Sequence, residues 1–208
     1  VIPANIISMG TESLSNYNLF LTAIVIFLLF VSMLVLTVSH QKNQKKLSRL
    51  AFCDELTGGM NDTSFRMTAQ RYMKEQEGQY VLVSMDIQDF KMINQVYGTQ
   101  EGNRTLRYVY QTLRAQLRSD EPMARNSGDV FFFLLKNRDK MTICTRLLKI
   151  YEAVNKFNQE LKEPYYLELY FGIYQPENGD EPLADMQEKA NIARKHKKGD
   201  DRYRYNFY

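Results

Sequence analysis

Residues 123–135 read Met123-Ala124-Arg125-Asn126-Ser127-Gly128-Asp129-Val130-Phe131-Phe132-Phe133-Leu134-Leu135. A polar centre interrupts an otherwise apolar stretch. Asn126, Ser127 and Gly128 are residue types that reverse a chain, so the segment predicts two strands joined by a turn. Working outward, residues 80–86 (YVLVSMD) form a short apolar run ending on a carboxylate, the pattern of a buried strand. Residues 101–117 carry Leu106, Val109, Leu113 and Leu117 at helical spacing. Residues 141–161 predict another helix, with Met141, Cys144, Leu147, Leu148, Tyr151, Val154 and Phe157 on one stripe. Residues 165–174 read as an alternating strand, 183–195 as a helix and 202–207 as a closing strand. Strands and helices alternate around a hairpin. The expected class is α/β, a mixed central sheet with helices on its faces.

Residues 19–38, LFLTAIVIFLLFVSMLVLTV, contain no charge and no proline. Roughly 20 residues at about 1.5 Å rise each cross a hydrocarbon core of about 30 Å. A signal peptide would carry a basic leader and a small-residue cleavage site. Here Glu12 precedes the run and no such site follows. A buried core helix is the other alternative, but is rarely so uniformly apolar. Lys42, Lys45, Lys46 and Arg49 follow the run, which places residues 40 onward in the cytoplasm by the positive-inside rule. The expected division is an extracytoplasmic remnant (1–18), a single transmembrane helix (19–39), a cytoplasmic linker (40–52) and one domain (53–208). Leu47 and Leu50 suit a short helix continuing from the span and pairing in a dimer; a solvated basic flank is the competing reading. The chain opens on Val1 rather than methionine, which reads as a fragment or processed product with a sensor upstream.

A chain of 208 residues accommodates one medium domain and an appendage. Its net charge of +3 is too small to argue for a nucleic-acid partner. Cys53 and Cys144 lie far apart without metal-ligand spacing, and read as reduced cytosolic thiols rather than a disulfide.

Four segments, in order and spacing, resemble the GGDEF (diguanylate cyclase) family. Asp54-Glu55-Leu56-Thr57-Gly58, followed by Asn61, resembles the opening D-x-L-T-G. Asp86-Ile87-Gln88-Asp89-Phe90-Lys91-Met92-Ile93-Asn94 resembles D-I-D-x-F-K-x-I-N, and Tyr97-Gly98 and Gly102 continue it. Ala124 to Phe131 resembles A-R-x-G-G-D-E-F, with Ser127, Gly128, Asp129, Val130 and Phe131 as its signature. The last residues resemble the family's closing strand. The resemblance implies a nucleotide-cyclase-like fold and a reaction in which two GTP molecules, held across a dimer, become cyclic di-GMP.

What the resemblance implies for chemistry must be weighed residue by residue. It assigns Mg2+, bound with GTP, to Asp86, the Ile87 carbonyl and Asp129, because Mg2+ needs hard oxygen ligands. Val130 stands at the signature glutamate and binds no metal. Ser127 stands at a glycine that lets backbone approach the nucleotide. Ordinary turn chemistry at strand ends also accounts for the two aspartates. Nucleotide contacts fall to Phe90, Lys91, Asn94 and Asn103; the family has aspartate at the last of these, so guanine recognition should weaken. Aligning the family's A-K-x-x-G-R on Gly199 puts His196 at the lysine and Asp200 at the arginine, although residues 193–202 also read as a basic helix end. Arg118 and Glu121 stand at R-x-x-D, the inhibitory product site, where helix-end residues are the plainer reading. The expected function is a degenerate, membrane-anchored GGDEF module at the bacterial inner membrane. It would be regulatory, homodimeric and weak or inactive towards GTP, relaying to a partner such as a C-terminal EAL (phosphodiesterase) domain. An active diguanylate cyclase and a purely structural dimerisation platform are the alternatives.

Overall fold

The computed structural model describes residues 4–76, 78–156, 165–177, 180–195 and 204–208, with the backbone alone for 4–16. The chain divides into two units, residues 1–49 and Leu50–Tyr208. The first is one helix, α1, which runs from Ala4 to Phe52 and so ends in the second unit. Its stretch from Tyr17 onward is long and apolar enough to cross a membrane, and side chains such as Phe20, Phe27 and Leu36 are exposed.

In the second unit the elements follow as α2 (Asp62–Glu75), β1 (Tyr80–Ile87), α3 (Phe90–Tyr97), α4 (Thr99–Gln116), β2 (Met123–Ser127), β3 (Val130–Lys136), α5 (Lys140–Asn155), β4 (Leu169–Tyr174), α6 (Leu183–Lys195) and β5 (Tyr205–Phe207). The strands form one sheet in the order β2-β3-β1-β4-β5. β1 is antiparallel to both β3 and β4, and β5 joins β4 in parallel. The α/β class expected from the sequence is the class observed.

β1 organises the domain because alternate residues of a strand face opposite sides of the sheet. Val81, Val83, Met85 and Ile87 face one core with Phe90, Ile93, Val109, Leu113, Ile143 and Leu147, from α3, α4 and α5. Tyr80 and Leu82 face a second core with Phe65, Met73, Met186 and Ala190, from α2 and α6. The next residues on that second side are Ser84 and Asp86, polar positions aimed at α6. Ser84 Oγ donates to Asn191 Oδ1 at 2.7 Å, and Arg194 meets Asp86. Residues 191 and 194 share a helix face just as 84 and 86 share a strand face.

Two expectations need correction. Residues 169–174 are buried throughout rather than alternating, because β4 has a helical layer on each face of its sheet. In α5 the inward stripe is Ile143, Leu147, Ile150 and Val154, while Met141 and Leu148 are exposed. Phe157 of the expected stripe lies outside the described residues. Cys53 and Cys144 are both free thiols.

Candidate functional site: the signature turn and the end of β1

The signature turn is a two-residue hairpin loop. Ser127 pairs with Val130, leaving Gly128 and Asp129 at the tip. Gly128 has φ of 57°, in the left-handed region that glycine enters at little cost, and its surroundings are open. Arg125 braces the turn from below. Its Nε donates to the Gly128 carbonyl at 2.8 Å, and its Nη1 to Asp54 Oδ2 at 2.8 Å. Asp54 Oδ1 in turn accepts from the Thr57 amide and hydroxyl at 2.8 and 2.7 Å. The opening D-x-L-T-G segment and the signature are thus one hydrogen-bonded unit, through a half-buried ion pair.

Beyond the tip, the two residues that open β3 point inward. Phe131 is fully buried in the larger core. Val130 is partly buried and packs against the core shared by α2 and α6. Met85 pairs with Phe131, which brings the end of β1 alongside the start of β3. Asp86, Ile87 and Asp129 therefore lie at the same end of the sheet.

A group that carries no motif signal in the sequence dominates this end. Arg194 of α6 places Nη1 2.9 Å from Asp86 Oδ2, with side chains only 6% and 12% exposed. The contact is an ion pair without hydrogen-bond alignment, and Arg194 Nε has no acceptor among the described residues. Burial pulls the Arg194 pKa below its usual value, against the charges of Asp86 and Asp129, which favour the guanidinium. α6 is held tightly here. A methyl group on Gly172 of β4 would come 2.0 Å from the Ala190 carbonyl oxygen and 2.4 Å from the Arg194 nitrogen, so glycine is required by the close approach of helix to strand.

The fit to Mg2+ can be tested on these contacts. Asp86 is already engaged by a guanidinium, Val130 offers no oxygen, and no cluster of three or more His, Cys, Asp or Glu residues suited to a metal occurs among the described residues. Unit charges about 4 Å apart interact by roughly 4 kcal/mol at an effective dielectric constant near 20. A dication beside Arg194 would meet about twice that repulsion from the guanidinium. These residues do not fit a divalent metal in the place that the resemblance assigns to it.

The residues that the resemblance assigns to the nucleotide lie on α3 and near the start of α4. Phe90 is buried, Lys91 exposed, and Asn94 and Asn103 half-buried. A methyl group on Gly102 would stand 2.0 Å from Asn94 Oδ1, so Asn94 lies against the turn of α4 that carries Asn103. Gln88 was also missed: it stands where D-I-D has its second aspartate. Its Oε1 is buried without a hydrogen-bond partner among the described residues.

Arg118 and Glu121 have different fates. Arg118 is exposed, whereas Glu121 is fully buried. The Glu121 carboxylate accepts from the Arg118 amide at 2.8 Å, from the Lys136 amide at 2.8 Å, and from both terminal nitrogens of Arg146. Burial raises its pKa, but Arg146 and the two amides outweigh burial and leave it below the usual carboxylate value. His196 and Asp200, aligned with the family's triphosphate motif, lie outside the described residues.

A sheet of this order with helices on both faces, and a hairpin turn meeting the end of its central strand, defines the nucleotide-cyclase-like class expected from the motifs. Residues 51–204 match the family model described as diguanylate cyclase, GGDEF domain, and the chain belongs to the GGDEF family. A curated relative is the bifunctional diguanylate cyclase/cyclic di-GMP phosphodiesterase MucR of Pseudomonas aeruginosa, 25% identical over 178 residues that cover 84% of this chain and 26% of MucR. The chain thus spans about a quarter of MucR, and less than two thirds of the next relatives it matches. The coiled coil and GGDEF domain of DgcB from Caulobacter crescentus, in complex with c-di-GMP, superposes with a TM-score of 0.72 at 20% identity, covering 86% of this chain and 97% of that one. The S helix-GGDEF-EAL portion of Vibrio cholerae LapD gives a TM-score of 0.67 at 16% identity, covering 83% and 40%.

Proposed function

We propose that this chain is a regulatory GGDEF module of bacterial cyclic di-GMP signalling that does not cyclise GTP. The observation that carries the reading is Val130. The signature position that should present a second carboxylate instead packs an aliphatic side chain against an apolar core, where it accepts no proton and binds no metal. Asn103 in place of aspartate further weakens the hold on guanine, and Asn94 remains to make the other contact. GTP binding is weak or absent.

In this reading α1 crosses the inner membrane once, with its basic end and the GGDEF domain in the cytoplasm. The domain acts as a homodimer and passes a signal along the axis of α1 to a partner domain. An EAL domain is the kind of partner favoured, because LapD joins an S helix, a GGDEF and an EAL domain in one chain. The hydrogen-bonded unit of Asp54, Arg125 and Gly128 supports a relay, since it links the start of the domain to the signature turn.

The test is turnover and binding on the full chain in detergent. With GTP and Mg2+, GTP is recovered unchanged, and titration gives weak or no saturation. Tight GTP binding with conversion to cyclic di-GMP overturns the reading.

A further inference from the structure

We propose that Arg194 is a resident cation of the signature site, a guanidinium paired with Asp86 where the resemblance calls for a divalent metal. The proposal rests on the regulatory reading and deepens it: the site has exchanged its metal for an internal positive charge.

Two independent features carry it. Arg194 is buried, and its one ion pair in the described structure runs to Asp86, the residue that the resemblance makes the first metal ligand. The arginine is also pre-positioned. α6 is fixed to β1 by Ser84 and Asn191 at 2.7 Å, and it lies so close to Gly172 that no Cβ fits between them. The guanidinium cannot withdraw from Asp86 by a small shift of the helix.

The charge pattern is consistent with an exchange. By the resemblance a carboxylate is lost at Val130, and in this chain a guanidinium, Arg194, stands against Asp86. Among the described residues the Arg194 guanidinium stands within contact distance of Asp86, and breaking a buried ion pair by removing one partner is costly. A dication would have to displace that partner.

The experiment follows Mn2+ as a spectroscopic probe of divalent binding, with thermal unfolding of the full chain in detergent. The wild type shows no saturable Mn2+ signal, and its Tm does not move with millimolar Mn2+ or Mg2+. Arg194→Met, which takes the guanidinium away from buried Asp86, lowers Tm by about 5 °C or more, and Mn2+ restores part of the loss. Arg194→Lys keeps the charge and stays indifferent to Mn2+. Should Arg194→Met fail to fold, the double variant Asp86→Asn/Arg194→Met removes both charges and recovers a folded protein. Saturable Mn2+ binding by the wild type overturns the proposal. So does an Arg194→Met protein with unchanged Tm and no response to Mn2+, or a double variant no more stable than Arg194→Met. Mn2+ binding without cyclic di-GMP formation defeats this proposal and leaves the regulatory reading standing. Product formation defeats the regulatory reading.

Discussion

Glu121 carries its charge where water does not reach, and four donors make that tolerable: two backbone amides and the two terminal nitrogens of Arg146. Removing the charge leaves Arg146 facing a neutral group in a largely buried place. Glu121→Gln should cost about 3 kcal/mol in chemical denaturation, the scale for breaking one partner of a buried ion pair. Because the folded pKa lies below the ordinary value of 4.5, the stabilisation is complete above that pH and is lost as pH falls through the folded value. Thermal melts between neutrality and acid should show this loss in the wild type and a shallower loss in Glu121→Gln; identical pH profiles would refute it. The R-x-x-D resemblance located Glu121 but could not reveal that it faces inward, since that depends on Arg146, 25 positions along the chain. Arg194 was less legible still. It stands beside Lys195 in a run of basic residues, and only the packing of α6 on β4 separates a buried cation from a solvated one.

At the scale of elements, long apolar runs were readable and short amphipathic pieces were not. β1, α4, the hairpin and α6 follow from their own patterns. α2 (Asp62–Glu75) was not anticipated because only Phe65, Ala69 and Met73 of it are buried, among residues that are mostly polar; its start is nevertheless marked by Asn61, whose side chain accepts from the Ser64 amide at 3.0 Å. α3 is only eight residues long, and α5 was misphased because Met141 and Leu148 suggested an apolar stripe that the sheet does not cover. α6 and β4 meet at a close joint. Gly172→Ala forces the added methyl into the Ala190 carbonyl, so α6 must move. We expect a loss of about 1–3 kcal/mol from overpacking, together with a looser Arg194–Asp86 pair. Denaturant titration checks the first, and a smaller additional loss from Arg194→Met in the Gly172→Ala background checks the second. Full additivity of the two substitutions would mean that the joint does not position the arginine.

Across the whole molecule, a strongly apolar helix precedes in sequence a family domain matched over residues 51–204. The order of motifs made that domain legible from sequence, while its chemistry depended on residues that fold in from α6. Expressed in bacteria, the full chain should remain with membranes after alkaline carbonate washing, and residues 40–208 should be soluble. A full chain released by carbonate would refute the anchor, and persistent aggregation of 40–208 would place the domain boundary elsewhere. The central claim is that the signature site no longer makes cyclic di-GMP. Its most direct measurement is chromatography of the products formed from GTP and Mg2+ at high protein concentration, by the wild type and Val130→Glu side by side. The account predicts no cyclic di-GMP from the wild type and no robust formation from Val130→Glu, because restoring one carboxylate leaves Arg194 on Asp86 and asparagine at position 103. Clear turnover by the wild type, or efficient turnover by Val130→Glu, would contradict it.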